Sequence, residues 1–167
     1  MSFPLLPKLI TDELTDLTPV LLEAQGIRLL MMDFDNTIVP YTTSVPTEQM
    51  DAWLRQMAAS EFQLCVVSNS RKDRVKKFCE PYGIPVITHA RKPGTRGIEE
   101  SLAKFGIDRK QAALVGDQIY TDTLGGNRAG VTSILVRAID NHNIWLKLRH
   151  VLEIPFICMA SKRRITK

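Results

Sequence analysis

The string Asp33-Phe34-Asp35-Asn36-Thr37 holds two aspartates two residues apart, directly after the apolar run Leu29 to Met32. Side chains alternate along extended chain, so Asp33 and Asp35 face one side of that strand end. Like charges held together cost free energy unless a cation lies between them, and hard carboxylate oxygens suit Mg²⁺. Read alone, the pair fits a polar turn after a strand equally well. A third carboxylate, Asp117, and a fourth, Asp122, follow another apolar run in Gly116-Asp117-Gln118-Ile119-Tyr120-Thr121-Asp122. Ser68 and Asn69 end a further run, where a hydroxyl and backbone N–H groups leading into a helix can hold phosphate oxygens. Lys92, just before Pro93, offers the cation that bound phosphate needs. Singly these are commonplace, since Ser-Asn pairs cap helices and lysines lie on surfaces. Their joint placement at successive strand ends points to phosphate chemistry.

The elements that must position these residues follow from the hydrophobic pattern. Continuous apolar runs at 29–32, 64–67, 112–115 and 133–136, with a shorter one at 85–87, predict strands buried on both faces. Between them lie helical spacings: Met50, Trp53, Leu54 and Met57, then Val75, Phe78 and Cys79, then Ile98, Leu102 and Phe105. A helix from about Thr18, with Pro19 in its first turn and Gly26 as its stop, precedes them. A last amphipathic helix is expected over Ile144, Trp145, Leu148, Val151 and Leu152, ended by Pro155. Strict alternation implies an α/β three-layer sandwich with a mainly parallel, Rossmann-like sheet. Ligands of such sheets bind beyond the carboxyl ends of the strands, where the polar residues above fall.

Composition narrows the class. A chain of 167 residues, 44% hydrophobic and 24% charged, fits one domain over 1–167 and excludes a disordered tail protein. Cys65, Cys79 and Cys158 show no paired or CxxC spacing, which argues against a disulfide framework or zinc site and for a reducing, cytoplasmic compartment. No stretch approaches the roughly 18 apolar residues of a membrane span. Net charge is +4, but residues 137–167 carry seven basic and two acidic side chains. Such a basic segment, about 138–167, suits contact with an anionic surface, or is simply solvated. Trp53 and the methionines at 31, 32, 50 and 57 read as core, and His89 as solvent-facing.

From about residue 28 to 137, taken as the catalytic core, the chain resembles the haloacid dehalogenase (HAD) superfamily. Its four motifs stand in order as Asp33 to Thr37, Ser68, Lys92, and Gly116-Asp117 with Asp122. More narrowly, Val66-Val67-Ser68-Asn69, Arg91-Lys92-Pro93 and Gly116 to Gln118 through Gly125 to Gly130 look like the YqeG family of subclass IIIA phosphatases. The resemblance implies that Asp33 attacks phosphorus to give an aspartyl-phosphate, and that Asp35 protonates the leaving oxygen and then activates water. It implies Mg²⁺ held by Asp33, the backbone carbonyl of Asp35 and Asp117, with Asp122 direct or through water. Thr37, Ser68, Asn69 and Lys92 fall on the substrate side. An acid at Asp35, where ATPase-type relatives carry Thr, favours turnover over storage of the acyl-phosphate.

Many members of the superfamily carry a cap domain in one of two connections. Here Asp33 to Ser68 spans 35 residues and Ser68 to Lys92 spans 24, each enough for one helix and part of a strand. No cap is expected, and an uncapped site suits a large or membrane-bound substrate that supplies its own lid. Relatives of this branch include phosphatidylglycerophosphate phosphatases. The expectation is therefore a lipid phosphate, with peripheral contact to an anionic membrane through Lys162-Arg163-Arg164. Alternatives are a phosphatase of protein or nucleic-acid phosphate, a receiver-like signalling module, disfavoured by motif order, and a non-catalytic adaptor binding RNA or membrane through the basic tail.

Overall fold

Leu29 to Met32 are all fully buried in the structure, as a strand covered on both faces must be. The structure is a computed structural model describing residues 4–70, 73–140, 154–160 and 163–165. Its strands are β1 (Leu9–Thr11), β2 (Leu29–Met32), β3 (Gln63–Val67), β4 (Val86–Ile87), β5 (Ala112–Gly116) and β6 (Thr132–Val136). The helices are α1 (Pro19–Ala24), α2 (Glu48–Ala59), α3 (Asp73–Cys79), α4 (Arg96–Phe105) and α5 (Leu124–Ala129). The six strands form one sheet in the order β1-β6-β5-β2-β3-β4, every pairing parallel. From β2 the chain winds outward through β3 and β4, then returns to the other side of β2 as β5 and β6. The β2/β5 seam is therefore the switch point where such sheets open a crevice.

Alternation along the strands divides the interior into two layers. Leu30, Met32, Leu64, Val66, Ala113 and Val115 pack against Leu22 of α1, Trp53, Leu54 and Met57 of α2, and Val75 and Phe78 of α3. Leu29, Met31, Cys65, Val67, Ala112 and Leu114 pack on the other face against Ile98 and Leu102 of α4 and Ala129 of α5. The expected three layers are present. Caps follow the sequence: Thr18 accepts a hydrogen bond from Leu21 N at 3.3 Å and Thr47 from Met50 N at 3.2 Å. Trp53 anchors α2 by donating from its indole to the Leu17 carbonyl at 2.8 Å.

Two elements differ from expectation. β1, pairing with β6 at Leu9↔Ile134 to Thr11↔Val136, lies in a segment the sequence pattern left unassigned. Residues 154–160 are helical and include Pro155, the expected terminator. Their Phe156, Ile157 and Ala160 cover Ile10, Ile119 and Leu135. The expected helix over Ile144 to Leu152, with Trp145, and Lys162 of the basic cluster lie outside the described residues. In the connections where a cap could be inserted, the described residues hold only α2, β3, α3, one 3-10 turn and β4.

Candidate active site

The parallel register brings the strand ends level. Met32 pairs with Val66 of β3 and Val115 of β5, so the residues that follow them, Asp33, Val67 and Gly116, stand side by side at one sheet edge. Asp33 N donates to the Val115 carbonyl at 2.9 Å, continuing the ladder one residue past β2. The carboxylates of Asp33, Asp117 and Asp122, all buried, offer oxygens within 4.8 Å of one another. Asp122 reaches this cluster because Ile119–Thr123 forms a single π-helical turn that carries it back over β5. Its Oδ2 accepts from Gln118 N at 3.1 Å. Gly116 makes room for it: a Cβ there would stand 2.3 Å from the Asp122 carboxyl carbon.

Lys92 is the cation of the cluster. Its Nζ lies 2.6 Å from Asp33 Oδ1 and 2.7 Å from Asp122 Oδ1. Burial opposes its charge, but Asp122 and Asp33 outweigh burial and hold the ammonium above the usual lysine range. Burial pushes the Asp33 carboxyl up to about 6 although Lys92 pulls the other way. Three carboxylates against one ammonium leave two negative charges in a desolvated pocket, and an all-oxygen donor set of that charge fits Mg²⁺.

The other expected site residues divide into two groups. Asp35 does not join the carboxylate cluster; its Oδ1 pairs with Arg74 on α3. Arg74 escaped the sequence reading because it lies outside the motifs; its only signal was a basic residue shortly after Ser68-Asn69. The Thr37 hydroxyl meets Asp117 twice, donating to Oδ1 at 3.3 Å and accepting from Asp117 N at 3.1 Å. The Asn69 amide clamps the Lys92 backbone, donating to its carbonyl at 2.9 Å and accepting from its N–H at 2.7 Å. Thr37 and Asn69 thus position Asp117 and Lys92, and Asn69 is exposed at the site. Ser68 is buried, and its Oγ accepts from Ser70 N at 3.0 Å.

Asn36 was quoted in the motif without a role, and the structure gives it one. It takes a left-handed φ of 65°, tolerated by asparagine. Its side chain donates to Asp117 Oδ2 at 3.4 Å and exchanges hydrogen bonds with the Asp140 backbone at 2.9 and 2.8 Å. Gly125 packs beside Lys92 and Pro93, and His89 is solvent-exposed as expected. A cleft of about 500 Å³ opens beside the site, lined by Thr37, Ile38, Val45, Met50, Val136 and Ile139 among others.

Comparisons with known proteins agree with this geometry. The HAD-hydrolase-like family model matches residues 89–141, which hold Lys92, Asp117 and Asp122. The chain is 34% identical over 131 residues to the Bacillus subtilis protein named "Probable phosphatase YqeG", covering 78% of this chain and 76% of that one. It is 30% identical over 146 residues to the mitochondrial phosphatidylglycerophosphatase GEP4 of Saccharomyces cerevisiae, covering 78% and 77%. A HAD-superfamily hydrolase from Ehrlichia chaffeensis shares the fold, with a TM-score of 0.52 at 13% identity over 81% of this chain and 98% of that one. Strands that carry Asp33 and Asp117 to one seam, in a chain this similar to a bacterial phosphatase along most of its length, place it in the YqeG family of HAD-superfamily phosphatases.

Proposed function

We propose that this HAD-type phosphatase is a Mg²⁺-dependent phosphomonoesterase acting through an aspartyl-phosphate on Asp33, with a lipid phosphate such as phosphatidylglycerophosphate as substrate. The observation that carries the reaction is the buried Asp33, Asp117 and Asp122 cluster with Lys92 seated on two of its members. Mg²⁺ held by Asp33, Asp117 and the Asp35 carbonyl, with Asp122 nearby, would neutralise charge on the phosphoryl oxygens. Lys92 adds a second positive charge at the same oxygens, so an anionic nucleophile can approach an anionic ester.

Asp33 then forms the new bond to phosphorus as the ester oxygen leaves, and Asp35 gives that oxygen its proton, releasing the alcohol. In the second half Asp35 takes a proton from water. The water oxygen bonds to phosphorus, the Asp33 ester bond breaks, and inorganic phosphate departs with the carboxylate restored. Ser68, buried and directly after β3, would hold a phosphoryl oxygen through its hydroxyl.

The lipid reading is supported by GEP4, named a phosphatidylglycerophosphatase, and by connections too short for a cap in a chain we read as one domain. A substrate held at a surface needs no lid of its own. Among the described residues no helix is long and apolar enough to cross a membrane. Asp33→Asn should abolish Mg²⁺-dependent hydrolysis of an aryl phosphate while the circular dichroism spectrum is retained; full activity overturns the mechanism. On phosphatidylglycerophosphate in mixed micelles the wild-type rate should far exceed that on soluble sugar phosphates. Equal rates overturn the lipid assignment and leave a promiscuous phosphatase.

A further inference from the structure

Arg74 stands at the site without belonging to any of the four motifs. It lies on α3, six residues beyond Ser68, and its guanidinium pairs with Asp35 Oδ1. The same guanidinium sits 5.2 Å from the centroid of the Phe34 ring, and its NH1 donates to the Tyr41 carbonyl at 3.3 Å. Its Nε is buried and has no hydrogen-bond partner among the described residues. The side chain is 21% exposed, which puts it at the mouth of the site rather than in free solvent.

Position relative to Asp35 decides what Arg74 can touch. In the phosphomonoesterase reading, on which this inference rests, the Asp35 carboxyl meets the oxygen of the leaving alcohol. A cation bonded to that carboxyl is therefore one side chain from the leaving group. Lys92 cannot serve there, because its ammonium is shared between Asp33 and Asp122. A counter-ion for Asp35 alone needs one charge. A guanidinium offers more: NH2 spends one donor on Asp35 and NH1 one on Tyr41, and the remaining N–H of each terminal nitrogen together match the two free oxygens of a phosphodiester.

We propose that Arg74 selects the substrate by binding a second anionic group, a phosphodiester carried on the leaving alcohol one glycerol unit from the scissile phosphate. The Phe34 ring beneath and the Tyr41 carbonyl beside it hold the fork in place, so little rotamer freedom is lost on binding. Simple phosphomonoesters lack the second anion and forgo this contact.

The test compares two soluble substrates, glycerol 3-phosphate and the deacylated head group glycerophosphoglycerol phosphate, in wild type, Arg74→Ala and Arg74→Lys, each checked for a native melting transition. Wild type should prefer the head group in kcat/KM. Arg74→Ala should lower that preference by about 10- to 100-fold, mainly through KM, and Arg74→Lys by less. Both substrates should also slow, because Arg74 orients Asp35, so the ratio is the readout. Equal losses on the two substrates overturn the proposal and leave Arg74 as a positioning residue for Asp35. A second measurement requires no variant: in wild type the diester glycerophosphoglycerol should inhibit aryl phosphate hydrolysis competitively where glycerol does not, and absence of competition overturns the proposal. Full lipid in mixed micelles separates the sources, since a preference seen with lipid but not with head group belongs to the acyl chains and also overturns it. Wild-type hydrolysis of aryl phosphate but of neither head group nor lipid would instead remove the lipid reading itself.

Discussion

In the proposed mechanism Asp33 must be ionised both to hold a cation and to attack phosphorus, yet burial pushes its carboxyl up to about 6. The sign follows directly. With the folded value above the usual 3.8, the fold favours the protonated form, and the stability this gives is lost as pH rises from about 4 through about 6. Binding Mg²⁺ below pH 6 must expel that proton, so apparent Mg²⁺ affinity should climb by up to about tenfold per pH unit between pH 5 and 6 and flatten above 7. Calorimetry in buffers of differing ionisation enthalpy should show proton release at pH 5.5 and almost none at 7.5. Affinity independent of pH over that range would remove Asp33 from the metal site. At this scale the sequence disclosed the carboxylates and the lysine that the fold brings together, because Asp33, Lys92 and Asp117 each terminate or follow a strand. It could not disclose Arg74, Asn36 or the contacts of Thr37 and Asn69, since those roles depend on which side chains meet across sequence separations of 23 to 104.

Elements carry these residues to each other, and the closest tolerance is at the end of β5. A methyl group at position 116 would stand 2.3 Å from the Asp122 carboxyl, and that carboxyl cannot withdraw freely, because Lys92 and Gln118 N hold it. Gly116→Ala should therefore displace Asp122, lower kcat/KM by about tenfold or more and weaken Mg²⁺ binding, while the core of the sheet survives. Kinetics and a Mg²⁺ titration on the variant check this; unaltered values would mean that the turn yields without consequence. Strands β2 to β6 were legible from continuous apolar runs, and the first four helices from their spacing and caps. β1 was not, because three residues, Leu9 to Thr11, at the sheet edge carry no periodicity. The Ile119–Thr123 turn was hidden for a related reason, since its extra residue per turn breaks the 3.6-residue pattern by which helices are recognised.

At the scale of the whole molecule, the basic C-terminal segment bears on the proposed contact with a membrane surface, and its described part is already in use. Residues 163–165 run alongside β1: Ile165 N donates to the Ile10 carbonyl at 2.8 Å, Arg163 NH1 to the Pro7 carbonyl at 2.9 Å, and Arg164 lies 3.6 Å from Asp12. Composition marked these cations as available to an anionic surface; it could not show that β1 and Asp12 claim two of them. Removing residues 163–167 should lower the thermal midpoint by several degrees, since about 1 kcal/mol shifts a chain of this size by roughly 2–4 °C. Truncation therefore confounds folding with docking, and Arg163→Gln with Arg164→Gln is the cleaner probe. Because Arg164 shares Asp12 with Arg137, which lies 2.8 Å from that carboxylate, and Arg163 spends a donor on the backbone, the double variant should lose less than about threefold in activity on micellar phosphatidylglycerophosphate. Free cations at a membrane are worth about 1 kcal/mol each, so a loss of tenfold or more would assign membrane docking to this segment instead.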